Sequence, residues 1–277
     1  MPFQLLSHND LKRTERKIHL ARLPQALEGL RLVQISDLHF YEHSDAAYFQ
    51  RVTKVLTDIA PDILALTGDV VHYGPDYIER AAQFLEQLPA RLGKVAILGN
   101  HDYNDGAWGQ NIRAMLNKTG FTLLENSCVK LGDKNGALYF IGLEDLWYGA
   151  PDPAKALALL PPDSAEYPVI ALVHNPLLFD PLTLAHPNRV DLALAGHTHA
   201  GHVYIPFLGP IYRKVFRMKY RYGLFHQHGS QLHVTSGIGS AAFYLKKKKI
   251  GLPRFRFNTC PEIAVLTLTG KQPIPTD

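Results

Sequence analysis

Val95-Ala96-Ile97-Leu98-Gly99-Asn100-His101-Asp102-Tyr103 is the stretch from which the rest of the chain can be read. Four apolar residues in a row predict a strand buried on both faces, as in a parallel sheet. The run stops at Gly99 and gives way to polar side chains. Groups able to do chemistry therefore sit just past the end of a strand, where α/β folds place their sites. Gly-Asn alone is ordinary turn chemistry. Three more strand ends repeat the arrangement: Ile35-Ser36-Asp37-Leu38-His39, Leu66-Thr67-Gly68-Asp69 and Ala195-Gly196-His197-Thr198-His199.

Residues 31–36 and 63–66 are the strands that lead into the first two of these. Ser44-Asp45 offers an N-cap to a helix in which Ala47, Phe49, Val52, Val55, Leu56 and Ile59 recur at helical spacing, closed by Pro61-Asp62. A second helix is predicted over about 76–88 and a third over 107–118. Three β-α repeats call for a parallel sheet with right-handed crossovers. Beyond Gly120 the pattern changes. Segments 128–131 and 137–142 flank the polar turn 132–136 and read as a hairpin. A short helix over 153–160 follows, then strands over 169–173 and 190–195 and shorter ones at 232–234 and 263–268. Residues 17–21 alternate weakly, as an edge strand would. The expected fold class is α/β, a four-layer αββα sandwich of two mixed β-sheets flanked by helices. Residues 1–277 form one domain in this reading, with a basic-aromatic insertion at about 206–225.

A hydrophobic content of 46% and a charged content of 19% over 277 residues describe a globular chain with a sizeable core. No apolar run approaches the roughly 20 residues needed to span a bilayer. The N-terminal residues, with His8-Asn9-Asp10 so early, read as too polar for a signal peptide. Cys128 and Cys260 supply neither a disulfide framework nor a thiolate metal cluster. The expected location is cytoplasmic. Charge is unevenly spread. Between Asp191 and Glu262 no acidic residue occurs and eleven Lys and Arg do, so +4 overall less +11 here leaves −7 for the rest. That asymmetry implies a basic face on an acidic body.

The residues gathered at the strand ends are Asp37, His39, Asp69, Asn100, His174, His197 and His199. Carboxylate and amide oxygens mixed with imidazoles, without thiolate, suit two divalent ions of the manganese, iron or zinc kind. A shared carboxylate can bridge two ions ~3.5–4 Å apart, the spacing used for in-line phosphoryl displacement with an activated water.

In order along the chain, Asp37-Leu38-His39, Gly68-Asp69, Gly99-Asn100-His101-Asp102, His174 and Gly196-His197-Thr198-His199 resemble the calcineurin-like metallophosphoesterases. The resemblance covers residues 31 to about 202. It implies that Asp37, His39, Asp69 and His199 hold one metal and that Asp69, Asn100, His174 and His197 hold the other, with manganese the leading choice. It further implies that His101 faces the phosphoryl group as an imidazolium and protonates the leaving oxygen, and that Asp102 orients it by accepting its other N–H. The run 33–39, the basic insertion and Cys260-Pro261-Glu262-Ile263 look like the YkuE/LpxG branch, which includes a UDP-2,3-diacylglucosamine pyrophosphatase of lipid A synthesis. That branch often reads Gly-His-Thr-His-Gly-Gly-Gln, and Ala200 and His202 depart from it here.

For substrate, the chain offers Pro206 to Tyr222, where aromatic and aliphatic residues alternate with Arg213, Lys214, Arg217, Lys219 and Arg221. A second patch runs from Phe243 through Lys246–Lys249 to Arg254-Phe255-Arg256-Phe257. Amphipathic basic surfaces settle on anionic membranes, so peripheral contact with the inner face of the cytoplasmic membrane is expected. His43, His202, Arg213, Lys214 and Arg217 are the candidate substrate residues. The reading is a two-metal phosphoesterase acting on a phosphodiester or pyrophosphate of a lipid-linked substrate. A nuclease or general phosphodiesterase with the same metals is the first alternative. A membrane-binding scaffold without catalysis is the second.

Overall fold

Side chains alternate between two faces along each strand, and in this chain both faces are apolar, so every central strand must be covered twice. The computed structural model describes residues 5–6, 10–42, 44–72, 75–103, 107–133, 135–201, 204–205, 209–210, 219–239, 256–257 and 259–270. In chain order the strands are β1 (Leu5–Leu6), β2 (Lys12–His19), β3 (Arg31–Ile35), β4 (Ile63–Thr67), β5 (Gly93–Ile97), β6 (Phe121–Leu123), β7 (Ser127–Asp133), β8 (Gly136–Gly142), β9 (Val169–Val173), β10 (Leu192–Ala195), β11 (Tyr204–Ile205), β12 (Gly209–Pro210), β13 (Gly223–Gln227), β14 (Ser230–Val234), β15 (Arg256–Phe257) and β16 (Glu262–Thr269). The α-helices are α1 (Ala46–Ile59), α2 (Ile78–Glu86), α3 (Ala107–Lys118), α4 (Pro153–Ala158) and α5 (Phe179–Ala185).

Two six-stranded sheets result, ordered β2-β16-β3-β4-β5-β6 and β13-β14-β10-β9-β8-β7. Strands β3 to β6 run parallel, while β16 is antiparallel to β3 and parallel to β2. In the second sheet β8, β9, β10 and β14 are parallel, with antiparallel β7 and β13 at the edges. Leu32, Ile63, Ala65, Val95 and Ile97 of the first sheet meet Leu138, Phe140, Ile170, Leu172 and Leu194 of the second in one buried layer. The opposite face of the first sheet, including Leu64 and Leu66, is covered by Val52 and Leu56 of α1, Leu85 of α2 and Ile112 and Leu116 of α3. Ala171 and Val173 face Phe179 and Leu182 of α5 and Leu157 of α4. The layers are therefore αββα, as expected. Among the described residues no helix is long and apolar enough to cross a membrane.

Local signals held where the physics is local. Asp45 caps α1 by accepting from Ala47 N at 2.9 Å, and α3 occupies 107–118. The second helix is shorter than expected: Pro75–Tyr77 form a 3-10 turn, and α2 starts at Ile78. Helix α5 was absent from the sequence reading, because Pro176, Pro181 and Pro187 made its surroundings resemble a loop. Pro181 lies in the first helical turn, where its missing N–H has no partner to lose. Strand β16 inserts between β2 and β3, a placement that its own residues do not encode.

One polar network crosses the apolar layer between the sheets. Gln34 donates from Nε2 to Ala195 O at 2.9 Å and lies 3.1 Å from Thr67 Oγ1. That leaves Oε1 as the acceptor for His233 Nδ1 at 2.7 Å. His233 is fully buried, and burial pulls its pKa down to about 4. The folded state thus keeps it neutral at pH values where the unfolded chain, with a pKa near 6.5, takes up a proton. Its contribution to stability is complete above pH 6.5 and is lost as pH falls toward 4. Urea titrations should show the protein losing about 2 kcal/mol more than His233→Gln between pH 7 and pH 4.5. Parallel losses in the two proteins would show that this histidine does not carry the acid sensitivity.

Candidate metal centre

The ends of β3, β4, β5, β9 and β10 lie side by side and carry the polar residues foreseen above. Backbone conformation turns them inward. Asp37, His39, Asp69, His197 and His199 have φ of 54°, 48°, 58°, 70° and 48°. Left-handed φ in a residue with a side chain costs roughly 1–2 kcal/mol and clusters at functional sites. Close approach of the loops also needs glycine. A Cβ on Gly99 would strike the Asp69 carboxylate and sit 2.7 Å from His174 Cε1. One on Gly196 would strike Ser36 Oγ and sit 2.6 Å from Asp37 Oδ2.

The donors converge in two groups joined by Asp69. On one side, His39 Nε2 lies 3.0 Å from His199 Nε2, and His199 Nε2 lies 3.4 Å from Asp37 Oδ1. Asp69 Oδ2 stands 3.5 Å from His39 Nε2 and 3.3 Å from His174 Nε2. On the other side, Asn100 Oδ1 lies 3.1 Å from His174 Nε2 and 2.9 Å from His197 Nδ1, and those two nitrogens are 3.2 Å apart. Asp37, His39 and His174 are fully buried, and Asp69 is 2% exposed. All seven candidate ligands are thus brought together.

Electrostatics in this cage is strained. Burial raises the Asp37 carboxyl to about 6, His174 pulling it down and Asp69 pushing it up. Burial would raise Asp69 too, but the charges of His174 and His101 and hydrogen bonds from both residues hold it well below the carboxylate range. For His174, burial opposes the proton, yet Asp69 and then Asp37 drive its pKa to about 10. Burial, with His174 adding to it, lowers His197 to about 3.

Several imidazole nitrogens face one another at hydrogen-bond distance, and each such pair can share only one proton. A cation held by these atoms removes the conflict. Oxygen and nitrogen donors about 2.0–2.2 Å from an ion lie about 3.0–3.5 Å from each other, which is the spacing found here. The residues fit a divalent metal centre. Asp37, His39 and His199 form one group able to hold an ion, and Asp37, Asp69 and His174 form another.

The expected partnership of Asp102 with His101 needs correction. Asp102 is fully buried, and its Oδ1 accepts from Val70 N at 2.8 Å and Val71 N at 3.2 Å while Oδ2 accepts from Gly99 N at 2.9 Å. It ties the β4 loop to the β5 loop. The ring of His101 instead places Nδ1 2.9 Å from His72 O, and its backbone N–H donates to Asp69 Oδ1 at 2.8 Å. The physical reason is the turn itself: Asp102 N donates back to Gly99 O, which folds the carboxylate under the loop.

Two residues near the cage were missed in the sequence. Buried His72, three positions after Asp69, has Nδ1 3.3 Å from His39 Nδ1 and stacks on His101 with centroids 4.8 Å apart. Trp147, at the loop after β8, lies edge-on to His197 with centroids 4.4 Å apart. The signal in both cases was a polar or aromatic residue just past a strand end.

The basic face also differs from the sequence reading. Arg256 is fully buried, donates to the carbonyls of Gly237 and Gly239, and has Nη2 3.3 Å from His199 Nδ1. Lys219 pairs with Asp180. His43, His202, Arg213, Lys214 and Arg217, and most of the expected insertion, lie outside the described residues.

Comparison with known proteins agrees with this geometry. The profile described as Calcineurin-like phosphoesterase matches residues 30–201, more than half the chain. The chain belongs to this family. It is therefore a metal-dependent hydrolase of phosphoric esters, and the family uses a binuclear divalent metal centre. It is 30% identical over 262 residues to the metallophosphoesterase YkuE of Bacillus subtilis, covering 93% of this chain and 85% of that protein. It is 28% identical over 316 residues to the UDP-2,3-diacylglucosamine pyrophosphatase LpxG of Chlamydia trachomatis, covering 94% and 90%. With the phosphodiesterase YaeI of Escherichia coli it shares 27% over 240 residues, covering 86% and 82%. Among solved structures, the NAD nucleotidase NadN of Haemophilus influenzae superposes with a TM-score of 0.51 at 13% identity, covering 83% of this chain and 51% of that one. That likeness concerns the fold, and the chain spans about half the length of that structure.

Because Asp102 satisfies three buried N–H groups, Asp102→Ala should lower unfolding stability by about 3 kcal/mol in urea denaturation. His101→Ala leaves those bonds in place and should cost about 1 kcal/mol or less. Equal stability of Asp102→Ala and the native protein would refute this structural role.

Proposed function

We propose that the chain is a two-metal phosphoesterase that cleaves a phosphodiester or pyrophosphate bond in a lipid-linked, anionic substrate. The observation that carries the reading is the position of the Asp69 carboxylate, whose Oδ2 stands 3.5 Å from His39 Nε2 on one side and 3.3 Å from His174 Nε2 on the other. In this reading residues 1–277 act as one unit. Asp37, His39, Asp69 and His199 would hold one ion, and Asp69, Asn100, His174 and His197 the other, with manganese as the leading metal. Such a pair, when bound, lowers the pKa of water and offsets charge on phosphoryl oxygens.

The chain's own groups supply the rest. His72 O, by accepting from His101 Nδ1, fixes the ring and leaves Nε2 to hold the proton that the leaving oxygen takes. The imidazolium also offsets charge that builds on the phosphoryl group. Asp102 acts at one remove, holding the loop that presents Asn100 and His101.

A lipid-linked substrate such as UDP-2,3-diacylglucosamine is favoured by the similarity to LpxG over nearly the whole chain and by the basic, aromatic-rich stretch between Asp191 and Glu262. That stretch would hold the protein peripherally on the inner face of an anionic cytoplasmic membrane. A general phosphodiesterase is the second reading, favoured by the similarity to YaeI.

Asp69→Ala should lose about one thousandfold or more of the hydrolysis of bis-p-nitrophenyl phosphate with manganese, a loss on the scale of the several kcal/mol a metal contributes. Its bound metal, counted by mass spectrometry, should fall below that of the native protein. Survival of turnover would end the two-metal reading. Changing Arg213, Lys214 and Arg217 together to Glu should weaken co-sedimentation with anionic liposomes by about one hundredfold, at about 1 kcal/mol per basic residue. Unchanged liposome binding would remove the membrane reading while leaving the hydrolase in place.

A further inference from the structure

The loop that follows β8 exposes two aromatic rings, and one of them lies against His197 of the candidate metal centre. Trp147 is 46% and Tyr148 66% exposed. An indole left half in water adds little to the core, and this one touches His197, one of the seven cage residues. The loop is also unusually well fastened. Buried Asp145 accepts from Trp147 N at 2.8 Å and Tyr148 N at 3.0 Å through Oδ1, and its carbonyl accepts from Gly149 N at 3.0 Å. Its own N–H points to the Tyr103 hydroxyl at 3.2 Å. Glu144 Oε2 accepts from Ala150 N at 2.9 Å, and Asn126 Nδ2 reaches both Glu144 Oε1 and Ala150 O at 2.9 and 2.8 Å. The backbone is pinned at its turn and at both ends while the rings stay outside.

We propose that Trp147, with Tyr148 beside it, is the ledge on which the organic part of the phosphoester substrate lies, and that this part is a flat aromatic ring of the nucleobase kind. The inference rests on the phosphoesterase reading above and deepens it. With a phosphoryl group at the cage, a substituent on its oxygen passes His197 first and Trp147 next, given ring centroids only 4.4 Å apart. A flat ring is favoured over an acyl chain by the shape of the loop. An acyl chain needs an enclosed apolar groove, whereas Trp147 and Tyr148 are 46% and 66% exposed on a loop whose backbone N–H groups bond to Asp145 Oδ1 and Glu144 Oε2. Stacking on exposed aromatic faces tolerates any base and needs no hydrogen-bond readout. Trp147 is then a specificity residue, outside the proton and metal chemistry.

Adenosine 5′-monophosphate and ribose 5-phosphate share sugar and phosphate and differ only in the base, so their binding to the manganese-loaded full chain isolates the ledge. By titration calorimetry, the native protein should bind the nucleotide about tenfold or more tightly than the sugar phosphate. Trp147→Ala should abolish that difference with its metal content unchanged, and Trp147→Phe should keep most of it. Equal binding of the two ligands by the native protein, binding of neither, or equal weakening of both in Trp147→Ala would overturn the proposal. So would a Trp147→Ala that keeps the base preference and loses anionic liposomes instead, since the rings would then be a membrane anchor. Failure of the hydrolase reading has a separate signature: no turnover of bis-p-nitrophenyl phosphate, whatever the calorimetry gives.

Discussion

The carboxylate of Asp69 is taken almost wholly out of water and surrounded by ring nitrogens that have the same need for positive charge or protons. Isolated, such an arrangement would be among the most costly a core can contain, because a buried charge without a partner loses its hydration and gains nothing. Everything around it lowers that cost. The His101 amide and His174 face the carboxylate, and the neighbouring donors stand at separations that suit a divalent ion. The strain recorded in the shifted acidities of Asp37, His174 and His197 is the same fact seen one residue at a time.

The fold makes the cage possible by ending five strands of two different sheets at one edge. Parallel strands share a direction, so their carboxyl ends open on the same side, and stacking two such sheets doubles the number of loops that can contribute. The first sheet brings Asp37, His39, Asp69 and Asn100, and the second brings His174, His197 and His199. Gln34, bonded to Ala195 O and to His233, holds the sheets in register close to the place where their loops must meet. Buried Arg256 does related work from the C-terminal side, filling the space behind His199 and closing on the carbonyls of Gly237 and Gly239.

Around the rim the demands change from holding charge to choosing a substrate. His72 fixes the ring of His101 through a backbone carbonyl, which no side-chain substitution at that position would remove. The loop carrying Trp147 and Tyr148 is rigid for another reason, its N–H groups being consumed by Glu144 and Asp145. Both features lie on loops set by the scaffold, in keeping with the usual division between a packed core and a variable functional edge.

From residues alone the chain declares its α/β class, most of its strands, helix 107–118 and the seven polar residues that the structure gathers past the strand ends, because apolar runs and the polar groups after them depend on short-range rules. Helix α5 escaped notice because Pro181 within it and Pro176 and Pro187 beside it imitate a loop, and the insertion of β16 between β2 and β3 escaped because strand pairing is chosen by partners far along the chain. Only tertiary structure decided that Asp102 braces two loops instead of orienting His101, that Arg256 is buried instead of belonging to a basic surface, and that His72 and Trp147 border the site. Which atoms meet across separations of tens to hundreds of residues follows from packing and from the saturation of buried donors and acceptors. A linear pattern of residue types carries neither quantity.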